Sequence, residues 1–262
     1  MQLEITKFKL IKFMIGDIKM KRIISFILAL ALTLLVSSPI FASSNASKDA
    51  ETVKSERATF ELVVKNNELV KKYLTDEDIQ FYRNIIDIKE KNSSLDAKDI
   101  IPLIEPSNSL AAAESDIPSE QRSFWGLTYA EWLLVILYPV EALKVNACKE
   151  STDNWTETFY PYWVDGDEGN AYRHTFWNAL MASEIGVMLA QDFATAHENH
   201  GLTDAEYEAI IMDDGFTALD HRQMDLHNNY MGRSEAYPNN GETDIHYKVM
   251  DLIDDDQLTI LH

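Results

Sequence analysis

At 262 residues the chain has room for one or two domains. Its 43 Asp and Glu against 23 Lys and Arg give a formal net charge of −20, which repels nucleic acid and anionic lipid and argues against a general DNA-binding role. The single cysteine, Cys148, excludes an internal disulfide and reads as a small buried side chain rather than a nucleophile.

Met20-Lys21-Arg22 opens a basic stretch, and Ile23 to Val36 is apolar apart from Ser25 and Thr33. That run of roughly 14 residues suits a signal-peptide core and is short for a membrane span. Pro39 breaks it, and Ile40-Phe41-Ala42 offers a small-residue cleavage end. Residues 1–42 are therefore expected to be a leader plus signal peptide, with Met20 as the true start. The mature chain is expected to be secreted or held at the cell surface, with no membrane span of its own. An uncleaved anchor is the competing reading. Cleavage removes six basic and two acidic residues, leaving 17 and 41 and a net charge of −24. No cysteine directly follows Ala42, and Cys148 lies far from it, so a lipoprotein anchor is not indicated.

Residues 43–49 are polar. Val53, Phe60, Val63, Val64 and Val70 then fit a loose helical stripe. Thr75 followed by Asp76-Glu77-Asp78 reads as an N-cap with an acidic first turn, and Ile79, Tyr82, Ile85, Ile86 and Ile88 give the next helix its apolar face. A short segment surrounds Ile100, Ile101, Leu103 and Ile104. Residues 43–104 thus form a helical N-terminal segment, a spacer or partner-binding module without recognisable chemistry. Residues 105–121, rich in Pro, Ser and Ala, read as a linker.

Residues 122–256 read as a compact multi-helix domain. Thr128-Tyr129-Ala130-Glu131 is a capping box that starts a core helix through Val140, kinked at Pro139 and too short to cross a bilayer. Residues 153–169 read as an aromatic-rich loop ending in Asp165-Gly166-Asp167-Glu168-Gly169. Counted from Asp165, the sixth residue is Asn170 and the twelfth Phe176, so the run fails as a calcium loop and serves as the acidic start of a helix. One helical pattern then runs from Asn170 to Glu198, stopped by Asn199-His200-Gly201. A second capping box, Thr203 to Glu206, a turn at Asp213-Asp214-Gly215, a helix from about Thr217 to Gly232 and a last amphipathic segment (Ile245, Val249, Leu252, Ile253) complete the chain. Strand signals are nearly lacking, and the predicted fold class is all-α.

On a helix of roughly 100° per residue, His174 and Asn178 share one face, which Met181, Ile185 and Met188 continue toward the core. His221, Asp225, Asn228 and Asn229 form a polar stripe at i, i+4, i+7 and i+8, with Leu219, Leu226 and Tyr230 marking the apolar side. Two helices presenting inward polar stripes can meet in a buried network or a site. Arg173 is placed to pair with Asp225 or Glu198. Three readings follow. A structural network would have Asp225 hold His174 and Arg173 while Asn228 and Asn229 cap backbone groups. A hydrolytic site would use His174 as acid or base oriented by Asp225, with Arg173, Asn178 and Asn229 beside them. A divalent metal would take His174, His197, Glu198 and Asp225, with His227 as a further candidate. Neither Glu-x-x-His nor His-Glu-x-x-His occurs, so no recognised spacing supports the metal, and no other cofactor is indicated. His200, His221 and His246 read as exposed or capping residues, and Trp125 and Trp177 as core. No phosphate loop, nucleophile elbow or Cys-x-x-Cys pair is present.

The combined pattern Asn170-Ala171-x-Arg173-His174-x-x-Trp177-Asn178-Ala179-Leu180-Met181, Ala196-His197-Glu198 and Met224-Asp225-Leu226-x-Asn228-Asn229-x-x-Gly232-Arg233 resembles a bacterial family, domain of unknown function 6973. The family occurs in secreted and cell-surface proteins, some of them toxin-like. The Leu127-Thr128-x-x-Glu131 start and Pro139 are similar to its upstream helix, and the resemblance covers about residues 125–252. It implies a compact helical domain and no established activity. At His227 the family varies, which argues against a ligand there. The leading expectation is a hydrolase-like or effector domain; the rival is a non-catalytic binding or structural domain. Substrate and partner are not legible.

Overall fold

The computed structural model describes residues 50–104, 127–237 and 240–262, which all fall in one compact unit spanning 47–262. The expected leader and signal segment, residues 43–49, the linker at 105–121, Trp125, Pro238 and Asn239 lie outside the described residues. Among the described residues there are eleven α-helices and no strand, only an isolated bridge between Ile211 and Thr217, so the fold is all-α as expected. No helix among them is long and apolar enough to cross a membrane.

The first four helices are α1 (Ala50–Asn66), α2 (Glu68–Tyr73), α3 (Asp76–Lys91) and α4 (Ala97–Ile104). Thr75 and Asp78 exchange side-chain and backbone hydrogen bonds to close the capping box of α3. Val53, Phe60, Val70, Ile85 and Ile86 are buried along the apolar stripes. These helices also pack onto the C-terminal ones: Asn67 Nδ2 donates to Glu184 Oε2 at 2.6 Å, and Lys72 and Tyr73 both reach Glu242.

Two boundaries differ from the sequence reading. The expected kink at Pro139 is a break between α5 (Tyr129–Leu137) and α6 (Pro139–Phe159). Proline opens α6, where its missing N–H costs nothing. Consequently α6 runs through residues 153–159, which the sequence placed in a loop, and only residues 160–167 connect it to the next helix. The single pattern from Asn170 to Glu198 is also two helices, α7 (Glu168–Ile185) and α8 (Val187–His197), hinged at Gly186 with φ +84°. A left-handed residue suits glycine and ends the helix there. The change of direction turns Met188 into solvent, so it does not continue the His174 face.

The remaining helices are α9 (Asp204–Ala209), α10 (Ala218–Ser234) and α11 (Glu242–Asp254). Helix α7 is the axis of the fold, and α6, α8, α10 and α11 all pack on it. It is buried on nearly every side from Gly169 to Ala182, as a helix enclosed by neighbours must be. Its closest approach is to α10. A Cβ on Gly232 would stand 2.2 Å from the Thr175 carbonyl oxygen and 2.9 Å from Asn178 Cβ. Only glycine lets the two backbones come that near.

Candidate functional site

The tight α7–α10 crossing brings two polar stripes face to face. His174 and Asn178 are one turn apart on α7, and Asp225, Asn229 and Arg233 are successive turns of α10. Glu198, the C-cap of α8, closes the third side. The α10 stripe is the inward face, with Met224, Met231 and Gly232 buried beside it. The expected apolar side is not apolar core: Tyr230 is exposed and Leu219 and Leu226 are only half-buried.

His174 sits at the centre, 4% exposed. Its Nδ1 lies 3.1 Å from Asn229 Oδ1 and 3.6 Å from Glu198 Oε1, and its Nε2 lies 3.3 Å from Asp225 Oδ1. Asn229 Nδ2 donates to Glu198 Oε1 at 3.2 Å. Asn178 Nδ2 donates to Asn229 Oδ1 at 2.5 Å and to the His174 carbonyl at 3.0 Å, while Arg233 Nη1 donates to Asn178 Oδ1. One buried atom stands outside this network: Asp225 Oδ1 has no hydrogen bond among the described residues. One ligand atom from each of His174, Glu198 and Asp225 falls within 4.8 Å of the other two, a cluster able to hold a metal ion.

Electrostatics follow burial. Desolvation pushes the His174 imidazole down to about 4, outweighing the nearby Glu198 carboxylate. Desolvation, with Asp165 adding repulsion, lifts the Asp225 carboxyl to about 7. Burial also raises Glu198, and the Asp225 carboxylate beside it adds to the rise. In all three groups burial disfavours the charged form.

Several expected members lie elsewhere. Arg173 does not pair with Asp225 or Glu198. Its Nε meets Asp153 Oδ1 at 2.9 Å, with Trp163 5.5 Å from the guanidinium, because residue 173 lies one position round α7 and faces α6. His197 is not part of the metal cluster. It turns to Glu131 Oε1 at 2.9 Å, edge-on to Trp177 at 5.3 Å. Burial opposes charge on His197, but the Glu131 carboxylate outweighs it and raises the imidazole. Asn228 stands apart from the cluster and caps backbone groups, as the structural reading expects: it exchanges two hydrogen bonds with the backbone of Thr259 at 2.9 Å each. His227 meets the Gln257 carbonyl and is no ligand. His221 and His246 are buried rather than exposed, partnered by Asp214 and by the Tyr172 hydroxyl. Trp177 is core, as expected.

The sequence reading gave Arg233 no role and gave Glu131 only that of a cap. Arg233 at i+4 from Asn229 was a usable signal. The long-range meeting of Glu131 with His197 had none. Neither curated proteins nor solved structures give a match to the chain. Residues 132–257, which hold every member of the cluster, match the family model described as Domain of unknown function (DUF6973).

Proposed function

We propose that His174, Glu198 and Asp225 bind a divalent cation and that the domain is a hydrolase built on that centre. The observation that carries the reading is Asp225 Oδ1, buried beside His174 Nε2 and without a hydrogen bond. An ionised carboxylate in such a place costs several kcal/mol unless a positive charge meets it. One imidazole nitrogen and two carboxylate oxygens suit zinc or manganese, and three protein ligands with an open position is the arrangement of catalytic rather than structural zinc. The bound ion would polarise a water or a substrate carbonyl. Asp225 is the most accessible of the three, with its side chain 17% exposed, so substrate would approach on its side. Arg173 adds a fixed positive charge felt by both His174 and Asp225.

A purely structural network is the competing reading, favoured by the burial of His174. It leaves Asp225 Oδ1 unexplained, since a network kept for stability satisfies its buried acceptors.

The test is the thermal midpoint of untagged, chelator-stripped protein with zinc, manganese, magnesium or calcium added. An ion at a hundred times its Kd stabilises by about 2.7 kcal/mol, or roughly 5–10 °C for a unit of this size. His174→Ala should abolish the shift, and a panel of ester, peptide and phosphodiester substrates then follows on loaded protein. No response to any ion, with no metal found by elemental analysis, overturns the reading. We further propose that the protein works outside the cytoplasm, on the strength of the apolar run before Pro39. N-terminal sequencing of exported protein should begin at Ser43; recovery from the cytosol alone would refute this.

A further inference from the structure

The hydrogen bonds behind the cluster run in one direction, and that direction decides which nitrogen of His174 carries its proton. A guanidinium has donors only, so the Asn178 atom that Arg233 touches is the carbonyl oxygen. The Asn178 amide nitrogen therefore faces Asn229, and the Asn229 atom that receives it, at 2.5 Å, is again an oxygen. The far end agrees independently: Asn229 Nδ2 points at Glu198 Oε1, and a carboxylate only accepts. Both amides are thus fixed from two sides, by a cation at one end and an anion at the other. Both are fully buried, so no solvent competes for their atoms. Burial lowers the Arg233 guanidinium only to about 10, and it keeps its charge at neutral pH.

The consequence falls on His174. Its Nδ1 stands 3.1 Å from Asn229 Oδ1, an oxygen, so Nδ1 must be the N–H. A neutral imidazole has one N–H, and Nε2 is left with its lone pair. That lone pair faces Asp225 Oδ1 at 3.3 Å, acceptor against acceptor, which explains why this oxygen finds no hydrogen bond. The same device is known at metal centres, where a ligating histidine donates its other N–H to a polar neighbour.

We infer that Arg233 is a positioning residue: through Asn178 and Asn229 it holds His174 as the Nδ1–H tautomer and so makes Nε2 the ligand atom. The ligand part rests on the metal reading above; the tautomer part does not. Arg233 itself touches none of the three proposed ligands, and its influence passes through two amides.

The experiment is a long-range proton–nitrogen correlation on metal-free protein labelled with nitrogen-15 histidine, at pH 7.5. The His174 signals are identified by their loss in His174→Ala. Wild type should show a protonated Nδ1 and a bare Nε2; a protonated Nε2 overturns the inference even if no variant folds. Arg233→Met removes the donors at similar volume and should give a mixture of tautomers, together with a loss of metal affinity of roughly 10- to 100-fold. Arg233→Lys keeps a donor and should restore the wild-type pattern, which a merely structural role would not predict. An Arg233→Met spectrum identical to wild type refutes the role of Arg233. The Nδ1–H tautomer in a protein that binds no metal would leave the relay standing and remove the metal reading instead.

Discussion

Substituting Gly232 by alanine sets a local rule of helices against the packing of this fold. In an exposed helix, Gly→Ala gains about 1 kcal/mol of helix propensity. Here the new methyl would stand 2.2 Å from the Thr175 carbonyl oxygen, which is backbone and cannot rotate aside. Restoring an ordinary carbon–oxygen contact requires α7 and α10 to part by on the order of 1 Å. Overpacking of that kind costs about 1–3 kcal/mol. The same displacement stretches the 3.1 Å approach of His174 to Asn229 beyond hydrogen-bonding reach and strains the Asn178–Asn229 bond. Each buried bond lost adds about 1 kcal/mol or more. With the propensity gain subtracted, the expected net loss is about 2–3 kcal/mol, a fall in thermal midpoint of roughly 5–10 °C. Differential scanning calorimetry would measure it, with Gln223→Ala on the exposed side of α10 as control, expected within about 0.5 kcal/mol of wild type. Metal affinity should fall with stability, because Asp225 and Asn229 ride on the same helix. A Gly232→Ala protein with a raised midpoint and unchanged metal affinity would show that the close crossing does not set the site.

Asp225→Asn should raise the midpoint of metal-free protein at pH 7.5 and abolish its response to metal, because it removes a buried charge and supplies a donor for Nε2; a lowered midpoint would favour the structural network instead. Its pH dependence has a definite sign. With His174 lowered to about 4, the unfolded chain binds more protons between about pH 4 and 6.5, so this group makes stability rise with pH across that window. With Asp225 raised to about 7, the folded chain binds more protons from about pH 4 to 7, and its contribution falls with pH. The two slopes oppose in wild type, so urea unfolding of Asp225→Asn should gain stability more steeply between pH 4 and 6.5; equal slopes would remove the argument. Glu242→Gln should cost about 1–2 kcal/mol without touching metal affinity, since Glu242 receives Lys72, Tyr73, Ser151 and Trp155 far along the chain. Burial opposes the charge on Glu242, but these donors outweigh it and lower the carboxyl. Its stabilisation is therefore present above the ordinary glutamate range and lost as pH falls through the lowered value, and a variant as stable as wild type would refute it.

The helices were legible where a local signal marks them. Capping boxes at Thr128 and Thr203 start α5 and α9 as read, because both partners lie within four residues. Pro139 and Gly186 were visible letters with ambiguous consequences: each can bend a helix or divide it, and tertiary packing chose division. The cluster was legible in part for the same reason. His174 with Asn178, and Asp225 with Asn229, are one turn apart, so periodicity placed each pair on one face. Which pair met which depended on the depth of the α7–α10 crossing. Arg173 shows the limit: a helix turns about 100° per residue, so being next to His174 in sequence put its guanidinium on the α6 side, against Asp153.

The arrangement behind His174 also separates function from stability in a way the residue types alone do not. If these side chains existed only to join three helices, the simplest network would let Asp225 accept a proton from Nε2 and turn an amide N–H toward the bare Nδ1. The chain from Arg233 through Asn178 and Asn229 does the reverse. It places the proton on Nδ1 and aims an unprotonated nitrogen at a buried carboxylate oxygen. Buried polar groups are tolerated when satisfied, and a half-satisfied network is worse than an apolar one. A fold that invests two buried asparagines and a half-buried arginine in preserving that confrontation loses stability in the metal-free state. On the metal reading proposed above, a cation between His174 Nε2 and Asp225 would recover that loss. A structural origin would require Asp225 to contribute to the stability of the metal-free protein and its removal to be neutral to every ligand, the opposite of what an unpaired Oδ1 implies.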